Sequence, residues 1–207
     1  MKWSIACKST LLIVAILIVD QVLKFWIKTS MCIGEDIPVF GNWFLIHFVE
    51  NPGMAFGWEL GGQAGKLILS LVRLVAIVAF IWYVHTLIKE KAPDGFILCI
   101  CMILAGAIGN MIDCAFYGLL FSESTFTSVA GFLPEGGGYA PLLYGKVVDM
   151  LSFPILHGTY PEWIPFKGGD EFLFFRPVFN IADSAVTTGV LSIIVFHWGY
   201  LKEVGKS

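Results

Sequence analysis

Charged side chains are scarce in this chain of 207 residues. Asp, Glu, Lys and Arg make up 14% of it, against roughly 25% in an ordinary soluble domain. Hydrophobic residues make up 57%, and the mean hydropathy is +0.79. So few charges could not cover the apolar surface of a water-soluble protein of this size, and the same composition excludes a disordered chain. It therefore indicates an integral membrane protein.

Several kinds of functional site are also poorly supported. The net charge is −3, so the chain lacks the basic character that nucleic acid binding needs. The five cysteines show neither a disulfide framework nor a CxxC pattern, and the four histidines are isolated in the sequence. We therefore expect no metal site and no cofactor. The sequence contains no GxSxG motif, which disfavours serine-type chemistry.

Four segments are long and apolar enough to span a membrane, since a spanning helix needs about 20 apolar residues. They cover about residues 10–27, 67–88, 96–112 and 182–201, and leave outer loops at about 28–66 and 113–181. Within the first loop, Gly41-Asn42 precedes a run rich in aromatic and branched residues, which predicts a hairpin. We predict a mainly α membrane protein in a single domain (1–207), with four transmembrane helices, a small extracytoplasmic β-sheet and an extended outer loop.

Polar residues inside the predicted spans are candidate functional residues, because ionisable groups are costly in lipid. Asp20 lies in the first span, where it could form an i,i+4 ion pair with Lys24 or face inward to support a site. Asn110 and Asp113 lie three residues apart at the outer end of the third span, so they share one face.

The fourth span begins with the same spacing, in Asn180 and Asp183. These two residues could simply cap a helix, because Asn is a favoured N-cap and Asp suits the first turn. Asp149 lies in an apolar stretch between the two spans and, taken alone, could be an ordinary loop residue. Asp113, Asp149 and Asp183 thus place three carboxylates at one face. The carboxamides of Asn110, Asn180 and Asn51 lie beside them. Two carboxylates that share a proton can supply both an acid and a base without a metal.

Five sequence blocks then occur in a familiar order, and the chain resembles the lipoprotein signal peptidases (signal peptidase II), membrane-embedded aspartic peptidases of bacteria. The blocks are Asp20–Lys24 (DQVLK), Asn51–Phe56 (NPGMAF), Ala105–Asp113 (AGAIGNMID), Val147–Met150 (VVDM) and Phe179–Ser184 (FNIADS). Ala105 stands where the family usually has Gly, and Met150 where it usually has Phe. The resemblance covers nearly the whole chain.

The resemblance implies a catalytic dyad of Asp149 and Asp183. It implies a substrate-binding and supporting set that comprises Asp20, Lys24, Asn51, Gly53, Asn110, Asp113 and Asn180. The implied reaction removes the signal peptide of a diacylglyceryl-modified prolipoprotein on the N-terminal side of the lipidated cysteine. The implied partners are such prolipoproteins, membrane lipid and peptide-like inhibitors of the globomycin type. The implied location is the bacterial inner membrane, with the active site at its outer face.

Two features depart from the family pattern. Cys114 replaces the Arg that usually follows the GNxxD aspartate, and we expect Arg176 or Lys146 to supply the missing positive charge. The connection between Asp113 and Asp149 is also longer than usual. We interpret the extra segment, about residues 119–143 and named the insertion below, as a lid or a partner-binding loop.

The main alternative is a small proton-coupled membrane transporter, because intramembrane aspartates also serve as proton relays. Transporters usually show internal repeats, and the sequence shows none. A non-catalytic membrane scaffold is a further alternative, but it would not need several costly aspartates at one interface.

The distribution of lysine predicts the orientation of the chain. The short segments at the predicted inner side are rich in lysine, namely Lys2, Lys8, Lys89, Lys91, Lys202 and Lys206. By the positive-inside rule both termini should be cytoplasmic. A reporter fused to the C-terminus should therefore behave as cytoplasmic, and a reporter inserted near Gly137 as external. Termini on opposite sides of the membrane would contradict the four-span architecture.

Overall fold

The computed structural model describes residues 3–52, 62–154, 156–164, 168–174 and 177–204. Within these ranges the chain is mostly helical. The helices are α1 (Ile5–Ser30), α2 (Gly62–Lys89), α3 (Asp94–Ile112), α4 (Gly118–Leu120), α5 (Ile181–Phe196) and α6 (Trp198–Val204). A single π-helical turn, Asp113–Tyr117, joins α3 to α4.

Three of these helical segments are long and apolar enough to cross a membrane by length and composition. They are α1, α2 and the continuous segment Asp94–Leu120. Many of their large apolar side chains are exposed, and Val75 and Trp82 on α2 are 70% and 68% exposed. Contiguous apolar surface of this kind marks contact with lipid or another apolar partner. The fold therefore agrees with the predicted helical membrane protein.

The fourth predicted span, 182–201, is shorter in the structure than the sequence indicated. α5 is an apolar helix of 16 residues that ends at Phe196, and α6 begins only after His197. The His197 ring packs against the first turn of α3, where a Cβ on Gly95 would lie 2.9 Å from the His197 Nε2 atom. The sequence is apolar on both sides of this break, so its composition did not predict that the helix ends at Phe196.

Close contact between α3 and α5 forms the centre of the helical bundle. A Cβ added to Gly106 would lie 2.2 Å from the Ala182 carbonyl oxygen, and one on Gly189 would lie 2.7 Å from that of Cys99. Small residues at these positions let the two backbones approach, as is common between membrane helices. The contact brings the end of α3 beside the start of α5.

A four-stranded antiparallel sheet covers this end of the bundle. Its strands are β1 (Asp36–Phe40), β2 (Phe44–Asn51), β3 (Val147–Ser152) and β6 (Val178–Phe179), in the order β1-β2-β3-β6. A second pair consists of β4 (Leu156–Thr159) and β5 (Glu171–Phe174). The predicted hairpin is confirmed, with Gly41 at φ +50° in the turn between β1 and β2.

The insertion packs against the last turns of α1. The Phe132 ring contacts the Phe25 ring at a centroid distance of 5.2 Å, and Phe121 contacts Phe25 at 5.5 Å. Phe121 itself is buried, between the helices and the sheet. The insertion therefore forms part of the packed structure at this end of the molecule.

Candidate active site

The centre of the site is a lysine ammonium inside the helical bundle. Lys24 is fully buried, and its Nζ atom lies 2.7 Å from Asp113 Oδ2 and 2.9 Å from Asp20 Oδ2. The same atom donates a hydrogen bond to Asn110 Oδ1 at 3.0 Å. The i,i+4 pair of Asp20 with Lys24 is therefore formed, and it lies inside the bundle; the role of Asp20 in supporting a site stays a prediction.

The two aspartates extend this ion pair to the elements around it. Asp20 Oδ1 accepts a hydrogen bond of 2.9 Å from the Ala182 amide in the first turn of α5. Asp113 Oδ2 accepts a hydrogen bond of 3.2 Å from the Val148 amide in β3. Gly109 leaves room for the Asp20 carboxylate, since a Cβ there would lie 2.9 Å from Asp20 Oδ2. The buried ions thus connect α1 and α3 to both α5 and β3.

Two further polar side chains complete this network and were not among the predicted site residues. Gln21 Nε2 donates to Asp113 Oδ1 at 2.9 Å and lies 3.1 Å from Asp20 Oδ2. The Tyr117 hydroxyl donates to Gln21 Oε1 at 3.2 Å. The amide of Gln21 inside an apolar span was a usable signal for its role. Tyr117 gave no such signal, because its position depends on the π-helical turn.

Asn180 and Asp183 form a capping box at the start of α5. Asn180 Oδ1 accepts from the Asp183 amide at 2.8 Å, and Asp183 Oδ2 accepts from the Asn180 amide at 3.3 Å. The capping interpretation is therefore confirmed. Each side chain, however, uses only one of its polar atoms for the cap, so the other remains for the site.

The remaining polar atoms of these side chains link Asp149 to Asp183. Asn180 Nδ2 donates to Asp149 Oδ1 at 2.7 Å, and Asn110 Nδ2 donates to Asp183 Oδ1 at 2.7 Å. The two carboxamides are joined in turn, since Asn180 Nδ2 lies 3.0 Å from Asn110 Oδ1. The two aspartates are thus held through one connected pair of amides.

The two carboxylates differ in their surroundings. Asp149 lies in β3 and is 6% exposed, so it is not an ordinary loop residue, whereas Asp183 is only half-buried. Burial, together with the negative charge of Asp183, raises the pKa of Asp149 to about 7. A carboxyl with this pKa keeps its proton up to near-neutral pH, which suits an acid beside a carboxylate base.

The structure thus brings together most of the predicted site residues, namely Asp20, Lys24, Asn110, Asp113, Asp149, Asn180 and Asp183. Asn51 lies at the end of β2, in register with Val147 and two positions along β3 from Asp149. Gly53 lies outside the described residues, so its predicted place in the site stays a prediction.

A positively charged side chain lies beside Cys114, the residue that replaces the usual Arg of the family, and it comes from α2. Arg73 in α2 places its Nη1 atom 3.2 Å from Cys114 Sγ. Lys146 instead lies near the carboxylates of Glu50 (3.2 Å) and Glu123 (3.4 Å), and Arg176 lies outside the described residues. Arg73 was recognisable as an ionisable residue in a predicted span, but nothing in its spacing connected it to Cys114.

Fold and site together define a helical membrane protein with paired carboxylates at one end of its bundle. Comparison with known proteins then gives the family: the model for signal peptidase (SPase) II matches residues 12–198, and the chain belongs to this family. It is 49% identical over 187 residues to a lipoprotein signal peptidase of Porphyromonas gingivalis, covering 90% of this chain and 80% of that protein. It is 35% identical over 181 residues to a lipoprotein signal peptidase of Amoebophilus asiaticus (86% and 72% covered).

A solved structure described as a bacterial membrane enzyme has a related fold. It superimposes with a TM-score of 0.58 at 27% sequence identity, and the match covers 92% of each chain. A second structure with the same description matches with a TM-score of 0.57, covering 97% of this chain and 91% of the other. The family and the fold are therefore those that the sequence blocks predicted.

The Lys24 ammonium should be essential for stability. Replacing it in Lys24→Met leaves the buried carboxylates of Asp20 and Asp113 without their cation, which should lower the free energy of unfolding by about 3–5 kcal/mol. Thermal unfolding in detergent would measure the loss. Lys8→Met is a matched control, because the Lys8–Asp94 ion pair (3.1 Å) is exposed and should contribute less than about 1 kcal/mol. Equal unfolding temperatures for the two variants would contradict the central role of Lys24.

Proposed function

We propose that the protein is an aspartic endopeptidase that removes signal peptides from diacylglyceryl-modified bacterial prolipoproteins, cleaving on the N-terminal side of the lipidated cysteine. The observation that carries this proposal is the pairing of Asp149 and Asp183 through the amides of Asn110 and Asn180. The substrate class is supported by the family and by the relatives named lipoprotein signal peptidase.

The two aspartates take different parts in the reaction. Asp183 is the carboxylate that accepts a proton from water, and the resulting hydroxide attacks the peptide carbonyl. Asp149, whose pKa is raised to about 7, is the acid that donates its proton to the carbonyl oxygen. When the C–N bond breaks, the proton held by Asp183 passes to the leaving amine, and Asp149 recovers a proton from the tetrahedral intermediate.

The surrounding polar residues keep the two carboxylates in place. Asn180 and Asn110 orient them by hydrogen bonds, and the buried charges of Asp20, Lys24 and Asp113 hold α1, α3, α5 and β3 around them. Asn51, at the neighbouring end of β2, and Gly53 form the part of this set that contacts the substrate backbone. Peptide-like inhibitors of the globomycin type would occupy the same place.

A membrane location explains why the substrate must carry lipid. The diacylglyceryl chains stay in the bilayer beside the apolar helix surfaces, while the peptide bond reaches the carboxylates at the end of the bundle. We place this end at the outer face of the bacterial inner membrane, with both termini cytoplasmic, as the lysine distribution indicates. A proton-coupled transporter is less well supported, because the polar network gathers at one end of α3.

The lipid on the substrate should determine whether cleavage occurs. The purified protein in detergent or lipid should cleave a prolipoprotein carrying the diacylglyceryl group, because the lipid anchors the bond at the interface. The unmodified precursor at the same concentration should be cleaved far more slowly. Gel mobility and mass spectrometry of the products would identify the cleavage position. Equal cleavage of both precursors would contradict the proposed role of the lipid.

Each member of the dyad should be indispensable. Asp149→Asn and Asp183→Asn keep the size of the side chain but remove its ability to exchange a proton, so each should lower kcat by at least about 10³-fold. Because the two residues act as a unit, the double variant should be little slower than either single variant. Thermal unfolding provides the control for folding. Near-native cleavage by folded Asp149→Asn protein would show that the acid is assigned wrongly.

The rate should also fall as the pH rises through about 7. Asp149 must be protonated to act as the acid, so its loss of a proton removes activity on the basic side. The apparent pKa of this basic limb belongs to the interacting pair, as expected for coupled groups. A kcat that stays constant from about pH 6 to about pH 9 would contradict this assignment.

A further inference from the structure

A second buried polar cluster lies one turn of α1 away from the site, on the side of the insertion. It consists of Lys28, Glu50, Ser124 and Lys146 and is called the Glu50 cluster below. Lys28 Nζ donates to Glu50 Oε1 and, at 2.9 Å, to Ser124 Oγ. Ser124 Oγ donates to Glu50 Oε1 at 3.0 Å, and Lys146 Nζ lies 3.2 Å from Glu50 Oε2.

Most of the cluster is buried, and Lys146 at its edge is partly exposed. Lys28 is fully buried, Ser124 is 3% exposed, and the Glu50 side chain is 3% exposed. One buried cation and one partly exposed cation around a buried carboxylate are a costly arrangement, because the buried charges lose their hydration. A purely structural connection at this place could be made by apolar side chains, so the cluster calls for a functional explanation.

Its members come from four separate parts of the chain. Lys28 belongs to α1, Glu50 to β2 and Ser124 to the insertion, while Lys146 immediately precedes β3. The Tyr139 ring, also from the insertion, lies between the two lysines, at 4.9 Å from Lys28 Nζ and 5.3 Å from Lys146 Nζ. The Tyr139 hydroxyl accepts a hydrogen bond of 2.7 Å from the Lys146 amide. The insertion thus binds both lysines.

Glu50 connects this cluster to the strands of the site. In the antiparallel pairing of β2 and β3, Val49 lies opposite Asp149, Glu50 opposite Val148, and Asn51 opposite Val147. Successive side chains of a strand point to opposite faces, so Glu50 and Asp149 lie on opposite faces of the sheet. Glu50 therefore makes no direct approach to Asp149 across the sheet, and the strands are the connection between them.

The pairing of β2 with β3 is interrupted in this region. The register of β2 and β3 shifts between Ile46 and Val49, so the pairs opposite Val147, Val148 and Asp149 are separated from the rest of the ladder by an irregularity. A bulge interrupts the ladder locally and bends the strand. The buried contacts of Glu50 add a second support to the end of β2 that carries Asn51.

We propose that the insertion is a brace, and that Glu50 is the positioning residue through which it sets Asn51 and Asp149. This proposal rests on the proposed function. It gives the insertion a role other than that of a lid or a partner-binding loop. Its parts are Ser124 and Tyr139 on the insertion, Lys28 and Lys146 on the flanking elements, and Glu50 at the junction.

The test compares kcat and KM of the detergent-solubilised enzyme on a diacylated prolipoprotein. The double variant Lys28→Met, Glu50→Gln removes both charges together, so no lone buried ion is left to unfold the protein. Its kcat per folded molecule should fall about tenfold or more, as expected for a small displacement of a catalytic group, and KM should rise by a smaller factor, because Asn51 contacts the substrate. The basic limb of the pH profile should not move, because Glu50 does not face Asp149.

Glu123→Gln is the matched control. Glu123 is an exposed partner of Lys146 at 3.4 Å on the same insertion, and its loss should change kcat by less than about twofold. Ser124→Ala, which removes one hydrogen bond to Glu50, should give an intermediate loss. A double variant that is less abundant as folded protein but has a native kcat per folded molecule would reduce the cluster to a structural role and overturn the proposal.

Hydrogen exchange supplies a readout that does not depend on activity. In the double variant, amides of Phe44–Asn51 and Val147–Ser152 should exchange faster than in the unaltered protein, while those of α2 should not change. Unchanged exchange in the two strands would overturn the brace. If the unaltered protein failed to cleave the diacylated substrate, the proposed function would be wrong. Faster strand exchange would then still support the brace, and unchanged exchange would overturn it.

Discussion

One buried ammonium group determines how the functional end of this protein is assembled. Lys24 satisfies Asp20 and Asp113 at once, and these carboxylates in turn accept the amides of Ala182 and Val148. In lipid neither carboxylate could be left unpaired, so the arrangement of four elements follows from one charge balance. The helices contribute apolar surface along their length, but their relative placement at this end is specified by polar contacts.

The sequence was sufficient for much of the fold and of the site, because both depend on local patterns. Long apolar runs predicted the helices, Gly41 marked the hairpin, and polar residues within the runs marked the candidate site. Other features depend on contacts between distant segments. The break at His197 reflects its packing on Gly95, and Tyr117 reaches Gln21 only because of the π-helical turn. Neither follows from the periodicity of its own segment.

The sequence did not predict the buried cluster around Glu50, because its residues lie in segments that were predicted to be loops. Lys28 lies just beyond the first predicted span, whereas α1 continues to Ser30, so the sequence does not predict its burial. Glu50 lies at the end of the apolar run that follows the Gly41-Asn42 turn, and the insertion offers no pattern that connects Ser124 to Lys28 or Glu50. A cluster whose residues come from four segments cannot be predicted from sequence spacing, because no pattern within one segment connects them.

The capping box at the start of α5 has a consequence for the thermodynamics of the enzyme. Asn180 and Asp183 each divide their polar atoms between the helix end and the carboxylate pair. Fraying of this turn would therefore release the helix amides and dismantle the pair in the same event. Helix-end fraying and loss of the geometry of the carboxylate pair become one equilibrium, and a bound ligand that holds the carboxylates must also stiffen α5. Under the proposed mechanism, local order at this helix terminus would set the fraction of molecules competent to react.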